Sequence, residues 1–404
     1  MRKQKLICAV LTAIFLWTAG MAAAETEALS AGSGAPSMDW FEEKGLTLGD
    51  SSLAYPALRE GTVAEELRTA INERILEDGK IREYLTRVSQ LISGGKLKVS
   101  WRGTVLGPVF SFAVSAEGAV TGPRSAYVWT AGNIDLRNGQ EVTLEEIFPD
   151  PEAARAEMEA YLEEEVAPEL SAHLLNSEVT PLPELFRFDE RGIVWMYPTN
   201  QLSTLSDRAG DILIPWQVIQ DQLDPAADGI PAAMGVTSLL PLTADASEEA
   251  LREAADRIRA MTAAGEMPGI PVRLGDSLQA LTDEWHLLID PDVYIGGRLF
   301  SLEGGGFRGV FLMTDFLSES WEHSVVDGIR SDVGGCFGLA VGETVRETWL
   351  QMLGEPDHTI MMDEETAEAY RTVPGSRDYY EFGDHRLQLH ADEEGVLVSV
   401  ILSE

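Results

Sequence analysis

Few residues in this chain have types and spacing that could do chemistry. Gly275-Asp276-Ser277-Leu278 sets a serine where a strand would turn into a helix, the place a nucleophilic hydroxyl takes when a base can draw off its proton. The base should come from an Asp-x-x-His step, but Asp327-Gly328-Ile329-Arg330 puts arginine at that position. The structural alternative is that Ser277 caps a helix, as Thr344 does at the matching position further on. Six histidines occur, at 173, 286, 323, 358, 385 and 390. His385 and His390 are five residues apart on an expected strand, so alternation sends them to opposite faces. No His-Glu-x-x-His pair is present, and the acidic runs Glu163-Glu164-Glu165 and Asp392-Glu393-Glu394 lack the alternating carboxylates and glycine turn of a calcium loop. These observations lead us to expect no catalytic set, no metal and no cofactor.

The elements that would position such residues can be read from periodicity. Thr62 and Glu65 have capping-box spacing, and Val63, Leu67, Ile71 and Ile75 recur every four residues, which predicts a helix with one apolar face. A second helix follows Gly79, with Ile81, Tyr84, Leu85, Val88 and Ile92 on its buried side. Leu97 to Trp101, Val109 to Val114 and Tyr127 to Leu136 read as strands. Asn138-Gly139 predicts a two-residue type I′ turn, and Thr143 with Glu146 a capped helical turn ending at Phe148. Glu152 to Leu175 has helical composition, split or kinked at Pro168. Leu185–Phe188 and Ile193–Tyr197 form a hairpin around the four residues Asp189 to Gly192, and Ile212 to Pro215 a closing strand.

Asp224 to Met234 holds two prolines, one glycine and four alanines and marks a boundary, so that Tyr55 to Leu223 is expected to fold alone. Beyond it, Ser247 to Ala264 is an amphipathic helix. The rest reads as a degenerate repeat. Leu274-Gly275-Asp276-Ser277 matches Val341-Gly342-Glu343-Thr344, and each begins a helix. Arg298-Leu299 answers Arg386-Leu387, and each copy ends on an apolar strand. The expected fold class is α+β and multi-domain: antiparallel sheets packed with helices, with a C-terminal tandem of small α+β modules. The expected divisions are 1–24, 25–51, 52–223, 224–246, 247–332 and 333–404.

Composition narrows the partners. A chain of 404 residues can bury two or three cores. Arg2, Lys3 and Lys5, the apolar run Leu6 to Trp17 and Ala22-Ala23-Ala24 read as a secretory signal peptide cleaved after Ala24, followed by a flexible tether over 25–51. The mature protein is therefore expected outside the cytoplasm, with no membrane span and with Cys336 as its one cysteine. The formal net charge is −37, and no lysine follows Lys98. Such charge repels nucleic acid and anionic wall polymers and attracts a cationic protein.

Several short motifs carry a resemblance. Ile71-Asn72, Ser111-Phe112, Ile134-Asp135-Leu136 through Gly139 to Thr143-Leu144 and Phe148, the hairpin Phe186 to Tyr197 and the strand Ile212 to Trp216 follow one another in order. Tyr55 to Leu223 thereby resembles the extracellular domain of unknown function of RsiV-like, lysozyme-sensing anti-sigma factors. Where members carry a Gly-Gly-Ala-His step, this chain has Val120 to Ser125. Of a Tyr- and Pro-rich loop only Tyr197-Pro198 remains, and the resemblance makes these two the expected ligand-binding residues. Gly338 to Gly342, Leu353-Gly354-Glu355-Pro356-Asp357, Tyr379 to Gly383 and Leu387-Gln388-Leu389 resemble the small α+β repeat of outer-membrane assembly lipoproteins and β-lactamase inhibitor proteins, which are binders. The resulting expectation is a secreted, non-enzymatic binding protein of the bacterial envelope or its surroundings. Its partner would be a cationic protein such as a lysozyme, or a cell-wall component. An envelope-acting hydrolase and a structural or assembly part of the envelope are the alternatives.

Overall fold

The computed structural model describes residues 35–91, 95–119, 126–170, 179–198, 210–224, 226, 228–236, 240–242, 246–282, 286–289, 293–303, 307, 309–315 and 323–404. The expected signal peptide lies outside them. The chain divides into two compact units, Met1–Ser125 with Thr130–Thr143, and Ala126–Trp129 with Leu144–Glu404. The boundary expected at 224–246 thus falls inside the second unit. No described helix is long and apolar enough to cross a membrane.

Strands β1 (Phe41–Leu48), β2 (Ser51–Leu58), β3 (Leu97–Leu106), β4 (Val109–Gly118), β5 (Ala126–Asp135) and β6 (Gln140–Glu141) are adjacent in that order in one sheet, and the first unit holds all of them but the first four residues of β5. β2 and β3 run parallel, which the helices α1 (Glu65–Asp78) and α2 (Ile81–Gln90) between them permit. Ile71, Ile75, Ile81, Tyr84 and Val88 are buried, as their spacing predicts. β1 lies within the stretch 25–51 read as a tether, of which residues 35–51 are described. Only Phe41 of that strand is buried, stacked 3.8 Å from Phe110, so its composition resembles linker.

Two local expectations fail in this unit. Thr62 does not cap α1: its hydroxyl donates to the Arg59 carbonyl, and Glu65 binds Arg68. The turn after β5 is not a type I′ turn. Asp135 pairs with Gln140 across a four-residue loop in which only Gly139 has positive φ, at 74°. The Asp135 carboxylate accepts from the Arg137 amide and Asn138 Oδ1 accepts from the Gln140 amide, so side chains close the loop.

The second unit begins with α3 (Pro151–Tyr161), capped by Asp150 accepting from the Ala153 amide at 3.0 Å. A π turn, Leu162–Val166, then leads to a last helical turn at Ala167–Leu170. Pro168 cannot donate to the preceding turn, and the wider turn ahead of it absorbs that missing bond. β7 (Phe186–Asp189), β8 (Gly192–Tyr197) and β9 (Gly210–Pro215) form an antiparallel sheet. Asp189 pairs with Gly192, so the hairpin turn is Glu190-Arg191 and not a four-residue loop.

The remaining chain starts with α4 (Glu248–Ala263), capped by Ser247, and the short ribbon β10 (Glu266–Met267) and β11 (Ile270–Arg273). The first module is α5 (Leu278–Thr282), β12 (His286–Ile289), β13 (Arg298–Glu303), β14 (Val310–Thr314) and β15 (Gly328–Ser331). A small ribbon, β16 (Gly335–Cys336) and β17 (Leu339–Ala340), precedes the second: α6 (Arg346–Leu353), β18 (His358–Met362), α7 (Glu364–Ala369), β19 (Gly375–Phe382), β20 (His385–Asp392) and β21 (Leu397–Ser403). β15 pairs antiparallel with β21, fusing the modules into one eight-stranded sheet ordered β12-β13-β14-β15-β21-β20-β19-β18. The two Gly amides of the matched motifs play equivalent parts: Gly275 donates to Val326 O and Gly342 to Leu397 O, both at 2.8 Å. The match of Arg298-Leu299 with Arg386-Leu387 does not hold, because Arg298 lies on β13, whose counterpart is β19, and Arg386 lies on β20. Nor does Thr344 cap α6. Its hydroxyl accepts from the Ala340 amide at 2.7 Å, closing the preceding turn.

A row of buried side chains runs across the sheet: Phe300, Leu312, Ile329, Leu402, Leu387 and Tyr380 are successive register partners. Ala254, Ala255 and Ile258 of α4 and Trp349 and Met352 of α6 complete that core. The β7–β8 turn is tied to the β10–β11 turn, since the Gly269 amide donates to Glu190 Oε2 at 3.1 Å. Gly269 has φ 67°, and a Cβ there would lie 2.6 Å from Asp189 Oδ1 and 3.0 Å from Arg191 Cγ. Both the backbone and the approach require glycine. Gly269→Ala is expected to destabilise the second unit by about 2 kcal/mol or more, read as a lower urea midpoint at unchanged slope. An unchanged midpoint would show that this contact is not needed.

Candidate functional site

β18 is the outer strand of the eight-stranded sheet, paired only with β19 among the described residues. It is positioned by a buried carboxylate. Asp378 of β19 is 0% exposed and accepts side-on from Arg346 Nε and Nη2 at 2.7 and 2.8 Å, from Trp349 Nε1 at 3.0 Å and from Thr359 Oγ1 at 2.6 Å. One group therefore fixes α6, β19 and β18 together. Burial raises the Asp378 pKa, but bonds from Arg346, Thr359 and Trp349 outweigh it and hold the carboxyl below the usual range. Gly354, at φ 85°, lets the chain leave α6 and turn toward β18.

Along β18, His358 to Met361 are all exposed and only Met362 is buried. Met361 is 74% and Ile360 43% exposed, while His358 stacks on Tyr379 at 4.2 Å. The rim is acidic. Glu355, Asp357, Asp363, Glu364, Glu365 and Glu368 are all exposed, and no lysine or arginine occurs from 355 to 368. Asp363 caps α7 by accepting from the Thr366 amide, and bonds from Thr366 lower its pKa. An edge strand of this kind presents unpaired backbone groups beside apolar side chains, and natural edges are usually shielded by lysine, proline or a bulge.

A pocket of about 100 Å³ lies beside the β7–β8 turn, lined by Glu190, Arg257, Met261, Pro268 and Phe337 among others. Burial, then the Asp189 charge, raises the Glu190 pKa against the pull of the Gly269 amide, Arg257 and Arg191. Beneath it Asp189 is clasped by Arg187 Nη1 at 2.9 Å and by the Arg191 amide at 3.2 Å. Burial pushes the Cys336 thiol up to about 12, so it is inert at neutral pH.

The residues singled out from the sequence are dispersed. Tyr197 is 1% exposed, with its hydroxyl donating to Val179 O at 2.7 Å, and Pro198 is exposed just beyond β8. Burial, and then Glu159, raise the Tyr197 pKa. Ser277 is exposed and bridges Val325, while Asp327 accepts from the Asp315 amide at 2.7 Å. Arg330 is buried and donates to the carbonyls of Tyr370 and Arg371. The structure does not gather these into one site. Glu163 to Glu165 are exposed on the π turn, and Asp392 accepts from the Val396 amide in a hairpin. His385 lies against the Thr262 and Ala263 carbonyls at the end of α4, and His390, on the opposite face, against Val373 O at 2.8 Å. His173 and the side chain of His286 lie outside the described residues. Among those described, no group of three or more His, Cys, Asp or Glu could hold a metal ion. The β18 edge carries no catalytic or metal-binding motif, although the lysine-free acidic stretch around Thr359 to Met362 was a usable signal.

No protein-family profile matches this chain, and no curated protein matches it. Solved structures similar to part of it include the following three. A DUF3298 family member from Bacteroides fragilis NCTC 9343 is 14% identical over 51% of this chain and 99% of its own, with TM-score 0.37. A DUF3298 family protein from Pseudomonas aeruginosa PAO1 is 9% identical over 48% of this chain and 97% of its own, with TM-score 0.34. A DUF4309 family protein from Bacillus subtilis subsp. subtilis str. 168 is 12% identical over 38% of this chain and 96% of its own, with TM-score 0.25.

Two outcomes follow from this geometry. Asp378→Ala leaves Arg346 without its partner and the Trp349 and Thr359 donors unsatisfied, and is expected to cost about 3–5 kcal/mol, measured by urea unfolding; a loss under about 1 kcal/mol would remove the carboxylate from its central role. The second concerns His390, which faces Arg377, Arg330 and Asp392. Burial moves its pKa from 6.5 down to about 4, against the Val373 carbonyl, with Arg377 and Arg330 adding to the fall. The fold favours the neutral ring, so its contribution is complete above pH 6.5 and is lost as pH falls toward 4. His390→Gln should flatten the fall in Tm across that window, and an unchanged slope would assign it to other groups.

Proposed function

We propose that this is a secreted, non-enzymatic binding protein that receives a cationic, extended segment of a partner protein along β18. The observation that carries the reading is an exposed outer strand, with Ile360 and Met361 uncovered, set among six exposed carboxylates. An added strand would satisfy the outer backbone groups of β18, while lysine or arginine side chains of the partner met the rim. Charge placement throughout the chain supports it. Arg187, Arg191, Arg330 and Arg377 are each under 10% exposed, so four of the thirty lysines and arginines lie inside while the net charge is −37. That field accelerates encounter with a basic partner and is screened by salt.

The test uses defined probes: a lysozyme as the cationic protein, and a peptide alternating lysine with valine. Binding of at least one probe is expected at low salt, weakening at least tenfold when salt rises from about 50 to about 300 mM. Ile360→Lys with Met361→Lys should abolish it without lowering Tm, because both side chains are exposed. Glu364→Gln, Glu365→Gln and Glu368→Gln together should slow association and leave dissociation nearly unchanged. Absence of binding by both probes, or binding indifferent to the β18 changes, would sink the reading.

A further inference from the structure

The face of the eight-stranded sheet opposite the helices carries a polar row. Arg377 of β19, His390 of β20 and Ser399 of β21 are successive register partners, with exposures of 3%, 0% and 0%. Arg330 of β15, 6% exposed, stands on the same face and is fully engaged: Nε donates to Asp332 Oδ1 at 2.6 Å, Nη1 to Tyr370 O at 3.1 Å and Nη2 to Arg371 O at 2.9 Å. Arg377 is not. Gln388 Oε1 stands 3.5 Å from its Nη1, the Tyr379 side chain also interacts with it, and its guanidinium lies 5.2 Å from the Tyr370 ring. Among the described residues its Nε and Nη2 have no hydrogen-bond partner, and neither do Ser399 Oγ and His390 Nδ1 beside them.

Buried donors without acceptors are costly, and a guanidinium more so than a neutral group. Nε–H and Nη2–H point the same way from a guanidinium and suit two oxygens of one planar anion. The same sheet shows the completed arrangement, since Arg346 binds the Asp378 carboxylate through Nε and Nη2. The ion pairs agree: among the described residues Asp332 is engaged by Arg330, Asp392 acts on His390, and no carboxylate forms an ion pair with Arg377. Burial lowers the Arg377 pKa, as expected of a cation lacking a close anion. The cover is the segment following α7, which is held to this face by Arg330 at Tyr370 and Arg371 and by His390 at Val373.

We propose that Arg377 forms a binding site for a carboxylate group, received side-on by its Nε and Nη2. This site is separate from the β18 edge and does not depend on a protein partner there.

The experiment is differential thermal denaturation of the whole protein at pH 7 and constant ionic strength. Sodium acetate or formate should raise Tm relative to sodium chloride, in proportion to the logarithm of concentration above Kd. Arg377→Met should remove that rise while keeping its own Tm in chloride, because it also removes an uncompensated charge. Arg377→Lys keeps the charge but not the side-on pair, and should weaken the affinity at least tenfold; it serves if Arg377→Met does not fold. A short peptide with a free C-terminal carboxylate, compared with its amide, distinguishes the source. A rise with the acid peptide and not the amide assigns a polypeptide terminus; a rise with acetate or formate alone assigns a free small acid. Equal Tm in all anions, or a rise that persists in the Arg377 variants, would overturn the site.

Discussion

The antiparallel join of β15 to β21 is the constraint on which the second unit depends. It sets Ile329 opposite Leu402, and so continues one apolar row from Phe300 on β13 to Tyr380 on β19. Two four-stranded modules thereby share one core, closed by α4 and α6. A register slip by one residue at this seam would turn Arg330 toward the helices and Ile329 toward the opposite face. The alternation of side chains at a single pairing therefore divides the sheet into an apolar face and a face carrying arginine, histidine and serine.

Charge is sorted by the same geometry. The inward carboxylates Asp189 and Asp378 are each met by arginine, and the buried arginines 187, 191 and 330 by carboxylates or carbonyls. Six exposed carboxylates surround β18. Internal ion pairs of this kind contribute modestly to net stability, yet they are costly to break, so they fix which groups must stay together. A net charge of −37 gives the protein a field that repels anions and attracts cations until salt screens it.

The sequence by itself determined the helices whose apolar residues recur with helical spacing, the β7–β8 hairpin, the paired motifs that open α5 and α6, and the sign of the surface. In these cases the signal is local: α1 can be read from Ile71 and Ile75, and the β7–β8 hairpin from two apolar runs around Asp189 to Gly192. Turn chemistry was less legible, because Asn138-Gly139 permits several turns and the Asp135 side chain selected a longer one. Only the tertiary structure decided that Phe41–Leu48 is a strand, that β13 corresponds to β19, that β18 lies at the edge, and that Arg377 is buried with no partner for Nε and Nη2 among the described residues. The physical reason is the same for all four. Whether a strand is central or outer, and what a side chain on it faces, depends on pairing partners distant in sequence, such as Arg330 with Ile401, and no local pattern records that choice.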